Sequence, residues 1–157
     1  MLRLRPIVRA DIPSLVVMTR ENMSSIVRRS WGIEWTDEPL LEWFADKDVE
    51  TMVLEEDGDI IGYFSIEVLD SYLFIMSIQL RPDKQGKGYG RTMMREIEAS
   101  VLEKGTEGVE LCVQECNEKA LAFYSTLGYR KVCRRGNNFL LRKSAEQIRS
   151  ETASQKD

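Results

Sequence analysis

The chain has 157 residues, of which 43% are hydrophobic, and this suffices for one domain with a single sizeable core. Its net charge of -4 argues against nucleic acid as the main partner, although a local basic patch could exist. The chain has no histidine, which removes Ser-His and Cys-His nucleophilic machinery and the commonest metal ligand.

The three cysteines, Cys112, Cys116 and Cys133, are odd in number and lack the second pair or the histidine that a zinc site needs. We therefore expect reduced thiols and no bound metal. The N-terminus lacks the apolar stretch of a signal peptide, and no segment reaches the ~20 apolar residues of a membrane span. These features predict a soluble, cytoplasmic protein that does not bind a membrane.

The first half of the chain predicts a strand, helices and three further strands. Leucine and arginine alternate over residues 2–5 as in a short strand, and Asp11 with Pro13 opens a helix. Residues 31–44, rich in tryptophan and polar side chains, predict further helical structure. Residues 51–82 contain an Asp-Gly turn and a second break further on, which predicts three antiparallel strands.

The second half predicts helices and strands in alternation. A helix follows the glycine-rich residues 85–91, and residues 109–115 form a strand. Asn117 is a good N-cap for the next helix, and residues 131–143 predict a closing hairpin. Residues 144–157 are polar and have no broad hydrophobic face, so we expect a frayed tail.

The segment QGKGYGR, residues 85–91, places three glycines at a strand-to-helix junction. Glycine permits close backbone approach, and the N–H groups of a helix start point in one direction, so the segment suits an anion. A tight structural turn would use the same glycines. A P-loop is excluded because Gly90 is followed by Arg91 and Thr92, and a dinucleotide fingerprint is excluded because Arg91 occupies the place of its third glycine.

The spacing of this segment resembles the acyl-CoA signature of the GNAT superfamily of N-acetyltransferases. It consists of Gln85, any two residues, Gly88, any one residue and Gly90. NEKALAFYSTLGY, which begins at Asn117, resembles the superfamily's second motif, and RLRPIVRADIPSL is similar to its first strand and helix. The resemblance implies an α+β fold with a central mixed, mostly antiparallel twisted sheet flanked by helices, in which a splayed parallel strand pair binds acyl-CoA. We expect one such domain over residues 1–143.

The resemblance also implies which residues contact the cosubstrate acetyl-CoA. The loop and helix start would bind the pyrophosphate, where the helix dipole places about half a positive charge. The end of the preceding strand would offer free main-chain groups to the pantetheine and the thioester carbonyl. Asn117 and Tyr124 match the superfamily's cofactor-contacting asparagine and leaving-group tyrosine, although they could be only a helix cap and a packed aromatic. The expected set is Ile78, Gln79, Leu80, Gln85, Gly86, Lys87, Gly88, Tyr89, Gly90, Arg91, Asn117 and Tyr124.

The expected chemistry is direct attack of a neutral amine on the thioester, with Tyr124 hydrogen-bonding or protonating the leaving thiolate. The strand before the loop has no carboxylate, and Cys112 stands where some superfamily members carry their base. Glu67 is our candidate base, acting through water, although an ordinary outward strand residue would look the same. Trp31 and Glu34 are candidates for contact with the amine substrate.

The main prediction is an acetyl-CoA-dependent N-acetyltransferase acting on a primary amine of a small molecule or polypeptide. The need for a base depends on the acceptor, because at pH 7 an α-amine is neutral about one time in six and a lysine-type amine about once in 2,500. Two alternatives are a CoA-binding sensor or interaction module without turnover, and a transferase of another acyl group. Open sheet edges in the C-terminal hairpin could pair in a homodimer.

Overall fold

The computed structural model describes residues 1–155. Its strands are β1 Leu2–Pro6, β2 Glu50–Glu56, β3 Asp59–Leu69, β4 Tyr72–Leu80, β5 Gly108–Gln114, β6 Arg130–Arg135 and β7 Asn138–Ser144. Its helices are α1 Ile12–Trp31, α2 Glu38–Ala45, α3 Tyr89–Lys104, α4 Glu118–Thr126 and α5 Ala145–Gln155. Within the described range, none of the helices combines the length and apolarity that crossing a bilayer requires.

The strands form one sheet in the order β1-β2-β3-β4-β5-β7-β6. Pairing is antiparallel between β1 and β2, β2 and β3, β5 and β7, and β6 and β7, and it is parallel between β4 and β5. The parallel pairing joins Leu73–Ile75 to Val109–Leu111, whereas β4 continues to Leu80 and β5 to Gln114. The predicted mixed, mostly antiparallel sheet with flanking helices is confirmed.

Left-handed residues form the turns between the strands of residues 51–82. Asp57 and Gly58 have φ angles of 51° and 89°, as a two-residue hairpin turn between right-twisted strands requires. Asp70, which separates β3 from β4, has a φ of 55°. The three strands predicted for this segment are therefore confirmed.

The chain divides into two compact units, of which the first comprises Met1–Glu67 and Met76–Met93. Its core lies where α1 and α2 pack on β2 and β3, and burial of these apolar side chains is its main source of stability. The buried members of this core are Leu15, Val16, Met18, Leu40, Val53 and Tyr63.

Tyr63 is the one polar side chain of that core cluster, and its hydroxyl is satisfied on both sides. The Tyr63 Oη lies 2.6 Å from Thr19 Oγ1 in α1 and 2.9 Å from Ser77 Oγ in β4. Burial raises the pKa of Tyr63 to about 12. The phenol is therefore a fixed hydrogen-bonding link between α1, β3 and β4.

The second unit comprises Val68–Ile75 and the described residues from Met94 onward. Its core combines buried side chains of α3 and β5, which are Met94, Ile97, Val101, Val109, Leu111 and Val113. Lys143 of β7 is only 3% exposed, and its ammonium group pairs with Glu98 at 3.1 Å and Glu151 at 2.6 Å. A buried ammonium is costly without such partners, so this cluster fixes how the strand meets the helices.

The frayed tail predicted for residues 144–157 is wrong where the structure describes it. Residues Ala145–Gln155 form α5, whose Ala145 and Ile148 are 5% and 2% exposed. Glu151 of this helix also neutralises the buried Lys143. Two apolar anchors and one buried ion pair thus hold a helix that lacks a broad hydrophobic face. Residues 156 and 157 of the predicted tail lie outside the described residues.

Candidate functional site

The glycine loop, residues 85–91, leads into the first turn of α3. Gly86 and Gly88 have φ angles of 74° and 93°, in the left-handed region that glycine adopts without strain. A Cβ atom on either glycine would meet nothing within 4 Å. The first hydrogen bond of the helix runs from the Thr92 N–H to the Gly88 carbonyl at 3.1 Å. By helix geometry, the N–H groups of residues 89–91 therefore point off the helix end without an intrahelical acceptor.

The Tyr89 side chain is directed at the end of β2. Its hydroxyl donates a hydrogen bond to Glu56, whose carboxylate also pairs with the Lys84 ammonium at 2.7 Å. The hydrogen bond from Lys84 and, to a smaller extent, that from Tyr89 lower the pKa of the Glu56 carboxyl group. The Glu56 carboxylate in turn raises the pKa of the Tyr89 hydroxyl. Sequence reasoning missed Glu56. The phenol therefore links the loop to the sheet, and the backbone N–H of Tyr89 is the group left for the expected cosubstrate contact, which stays a prediction.

The end of β4 and the first loop residue are joined by side-chain hydrogen bonds. Ile78, Gln79 and Leu80 are all half-buried. The Leu80 carbonyl accepts from the Gln85 Nε2 at 3.2 Å and from the Asn22 Nδ2 of α1 at 2.7 Å. A carbonyl oxygen has two lone pairs, and both are used here. Any main-chain contact of Leu80 with pantetheine would therefore have to be made by its N–H group, and the expected role of Ile78, Gln79 and Leu80 stays a prediction.

Glu67 lies near the end of β3 and is half-buried. Burial raises the pKa of its carboxyl group, and the charges of Asp46 and Asp48, in the connection between α2 and β2, raise it further. A carboxylate with a raised pKa is a stronger base than an ordinary glutamate. The direction of this shift is the one that a general base needs, and the role of Glu67 stays a prediction.

Trp31 is the last residue of α1, and Glu34 lies just beyond the left-handed Gly32 that caps this helix. Trp31 is 42% exposed, and Glu34 forms an exposed ion pair with Arg28 at 2.8 Å. Both side chains are accessible in the connection between α1 and α2. Glu34 would have to leave Arg28 in order to bind a cationic amine.

In the second unit, Asn117 and Tyr124 mark the start and the middle of α4. The Asn117 side chain accepts a hydrogen bond from the Ala120 N–H at 3.3 Å, which confirms the predicted N-cap. Tyr124 is 6% exposed, and its ring packs edge-on against Phe123 and Tyr129. Burial alone raises the pKa of the Tyr124 phenol. The hydroxyl is therefore protonated at neutral pH and able to donate a hydrogen bond.

Comparison with known proteins decides the family. The model of the acetyltransferase (GNAT) family matches residues 20–129, which includes the glycine loop and α4. The chain belongs to the GNAT acetyltransferase family. The family and the enzyme class predicted from the two motifs are thereby confirmed.

Similar proteins in this GNAT family differ in their named acceptors. The spermidine N(1)-acetyltransferase of Thermoplasma acidophilum is 22% identical over 87% of this chain and 98% of its own length. A putative ribosomal protein bS18-alanine N-acetyltransferase of Bacillus subtilis is 25% identical over 69% of this chain and 72% of its own. The crystal structure of a PaiA N-acetyltransferase from Thermoplasma acidophilum with coenzyme A superposes with a TM-score of 0.72 at 19% identity, covering 92% of this chain and 99% of that one.

The loop of this GNAT protein has the features that a pyrophosphate needs. The space above Gly86 and Gly88 is open, and the N–H groups of the α3 start face it with the positive end of the helix dipole. Lys87 and Arg91 are exposed on either side of Gly88. The residues present therefore fit the diphosphate of CoA.

The outer edge of the sheet bears on the predicted homodimer. β6 is the last strand in the order, all its residues are exposed, and its pairing with β7 shifts register between Lys131 and Cys133. Its cations are Arg130, Lys131, Arg134 and Arg135. Pairing two copies of this edge would oppose like charges, and an irregular edge also resists pairing. These features disfavour β6 as the interface, and the homodimer itself stays a prediction.

The three cysteines, Cys112, Cys116 and Cys133, form no disulfide within the described residues. Burial raises the pKa of the Cys112 thiol, which makes it a poor nucleophile. Among residues 1–155, no group of three or more histidine, cysteine, aspartate or glutamate side chains could hold a metal ion.

Proposed function

We propose that the protein transfers the acetyl group of acetyl-CoA to a primary amine of a small molecule or polypeptide. The observation that carries this proposal is the open, left-handed glycine loop at the start of α3, within the residues that match the GNAT family. The two relatives described above are named for amine acceptors, spermidine and a protein alanine, and this supports an amine as the acceptor here.

The reaction joins the amine nitrogen to the acetyl carbonyl carbon, breaks the carbon–sulfur bond and moves one proton, in net terms, from nitrogen to sulfur. Acetyl-CoA supplies the activated acetyl group. The protein must therefore hold the diphosphate, take a proton from the amine and stabilise the departing thiolate.

Binding falls to the loop and to the end of β4. The N–H groups around Gly88 hold the diphosphate, and Lys87 and Arg91 add charge at its rim. The main chain of Ile78, Gln79 and Leu80 serves the pantetheine, with the exception of the Leu80 carbonyl, which already has two donors.

Tyr124 stabilises the leaving group in this proposal. A phenol whose pKa burial has raised cannot pass its proton fully to a thiolate whose acid has a pKa of ~8.5. It can donate a strong hydrogen bond to that thiolate, and water then supplies the proton. Asn117 contributes by capping the helix that carries Tyr124 and by contacting acetyl-CoA.

Glu67 takes the proton of the amine, directly or through water. Its raised pKa brings it closer to that of an ammonium group, which favours the transfer. Asp46 and Asp48 give the same region a negative potential that attracts a cationic acceptor. Trp31 and Glu34 contact the rest of the acceptor.

Release of the CoA thiol, followed with a chromogenic disulfide reagent, tests the proposal. The panel should contain spermidine, spermine, a peptide with a free N-terminal alanine, and the same peptide blocked at its N-terminus with one lysine. We expect release only when an accepted amine is present. Binding of acetyl-CoA without release for any amine would favour the CoA-binding sensor, and faster release from propionyl-CoA or succinyl-CoA would favour another acyl donor.

A further inference from the structure

One side-chain amide of α1 joins three segments of the first unit. The Asn22 Nδ2 donates to the Leu80 carbonyl at 2.7 Å and to the Gln79 Oε1 at 3.1 Å. The Asn22 Oδ1 accepts from the Gln85 Nε2 at 3.2 Å, and that same Nε2 donates to the Leu80 carbonyl at 3.2 Å. We call these four residues, Asn22, Gln79, Leu80 and Gln85, the Asn22 bracket.

The bracket lies where β4 has lost its pairing with β5 and keeps only β3 as a neighbouring strand. The parallel pairing of β4 ends at Ile75, and the strand then runs on to Leu80 before the loop begins. Main-chain groups beyond the paired region need other partners, and Asn22 and Gln85 supply two donors to the last carbonyl of the strand. On its β3 side the strand end is held by the backbone hydrogen bond from the Arg81 N–H to the Ile61 carbonyl at 2.8 Å, whereas its last carbonyl, that of Leu80, is held by side chains.

Helix stability alone does not account for an asparagine at this position. Asn22 lies inside the 20-residue helix α1, where asparagine is less favourable than alanine or leucine by about 0.6 kcal/mol. Positions that break a local rule are expected where function requires them. A residue with a better propensity could form the helix but could not make these hydrogen bonds.

The geometry points to Asn22 as a positioning residue for acyl-CoA, which fixes Gln85 and the end of β4 so that the glycine loop presents its N–H groups in the binding geometry. Asn22 itself does not touch the cosubstrate. This inference rests on the proposed function, because it assigns CoA to the loop.

The test measures the affinity of CoA by isothermal titration calorimetry, since CoA binds without being turned over. We expect Asn22→Ala and Gln85→Ala each to weaken binding about tenfold, because each removes hydrogen bonds that hold the loop. The double variant should weaken binding far less than the product of the two single effects, because both substitutions break the same bracket. Asn22→Leu keeps the branched shape of the side chain, raises the helix propensity and removes the hydrogen bonds, so it serves if the alanine variant folds poorly.

Ser24→Ala is the matched control, because the Ser24 hydroxyl bonds only within α1, to the Arg20 carbonyl at 2.7 Å. Its CoA affinity should stay within about twofold of wild type. Urea unfolding of every variant separates loss of stability from loss of affinity. Unchanged affinity in Asn22→Ala and Asn22→Leu, or single effects that multiply in the double variant, would overturn the positioning role. If the wild-type protein binds CoA but acetylates no amine, the proposed transferase activity is refuted. The CoA affinities of the variants would still test the positioning role of Asn22.

Discussion

Replacing Gly88 by alanine separates the binding role of the loop from its role in the fold. Gly88 has a φ of 93°, and a Cβ there meets nothing within 4 Å, so the folded protein has room for the methyl group. Gly105, at the other end of α3, has a φ of 71° and equally open surroundings. Each alanine should cost about 1–2 kcal/mol of stability, because an L side chain is strained in the left-handed region. The two glycines flank the 16-residue helix α3, Gly88 before its first residue and Gly105 after its last.

The two variants should differ in what CoA does to them. At a concentration of about 100 times Kd, CoA stabilises the folded wild type by about 2.7 kcal/mol. For a chain of this size that corresponds to a rise in Tm of about 5–11 °C. The methyl group of Gly88→Ala stands where the diphosphate approaches, and loss of one charge-assisted hydrogen bond costs about 1.5–3 kcal/mol. The remaining shift at the same concentration should be about 1–6 °C.

Differential scanning fluorimetry with and without CoA measures this shift for wild type, Gly88→Ala and Gly105→Ala. Gly105→Ala should start from a lower Tm and keep the full wild-type shift. ATP at the same concentration should stabilise the wild type less than CoA, because the loop lacks the P-loop residues. If folded Gly88→Ala keeps the full shift, the loop is not the diphosphate site. If Gly105→Ala loses it too, the effect belongs to the fold.

Three further predictions concern the reaction and the fold. Tyr124→Phe should lower kcat about 10- to 100-fold with little change in KM for acetyl-CoA, and an unchanged kcat when chemistry limits turnover would reduce Tyr124 to a packing residue. As the pH is lowered, kcat/KM of the wild type should fall when Glu67 becomes protonated. Because the pKa of Glu67 is raised, this fall should begin at a higher pH than it would for a glutamate with an ordinary pKa. Asp46→Asn removes a charge that raises the pKa of Glu67, so it should move this fall in kcat/KM to lower pH. An unchanged pH profile in Asp46→Asn, or a wild-type pH profile in Glu67→Gln, would exclude Glu67 as the base. Ile148→Ala should lower the free energy of unfolding in urea by about 2–4 kcal/mol, and the exposed neighbour Arg149→Ala by under about 0.5 kcal/mol; equal effects would mean that α5 does not pack.

Much of the fold could be predicted because its signals are local. The Asp57-Gly58 turn, the cap at Asn117 and the alternating strands each depend on residues close in sequence. α5 could not be predicted this way, because its anchors are two apolar side chains and an ion pair with Lys143 in the preceding strand.

The candidate site divides in the same manner. The backbone features of the loop follow from its glycines and were visible in the sequence. The partners of its side chains were not, because Asn22 and Gln79 are 57 positions apart and Glu56 and Tyr89 are 33 apart. The sequence did offer one signal for the first of these, an asparagine inside a long helix.

Transfer of a labelled acetyl group tests the central claim most directly. The protein is incubated with acetyl-CoA whose acetyl carbons are carbon-13, together with the amine that releases the most thiol, and the amine is then weighed by mass spectrometry. Acetyl transfer predicts a product heavier by one labelled acetyl group, formed in equal amount to the free CoA and abolished in heat-denatured protein. Release of CoA with labelled acetate and an unmodified amine, or an amine that never gains the label, would contradict the account.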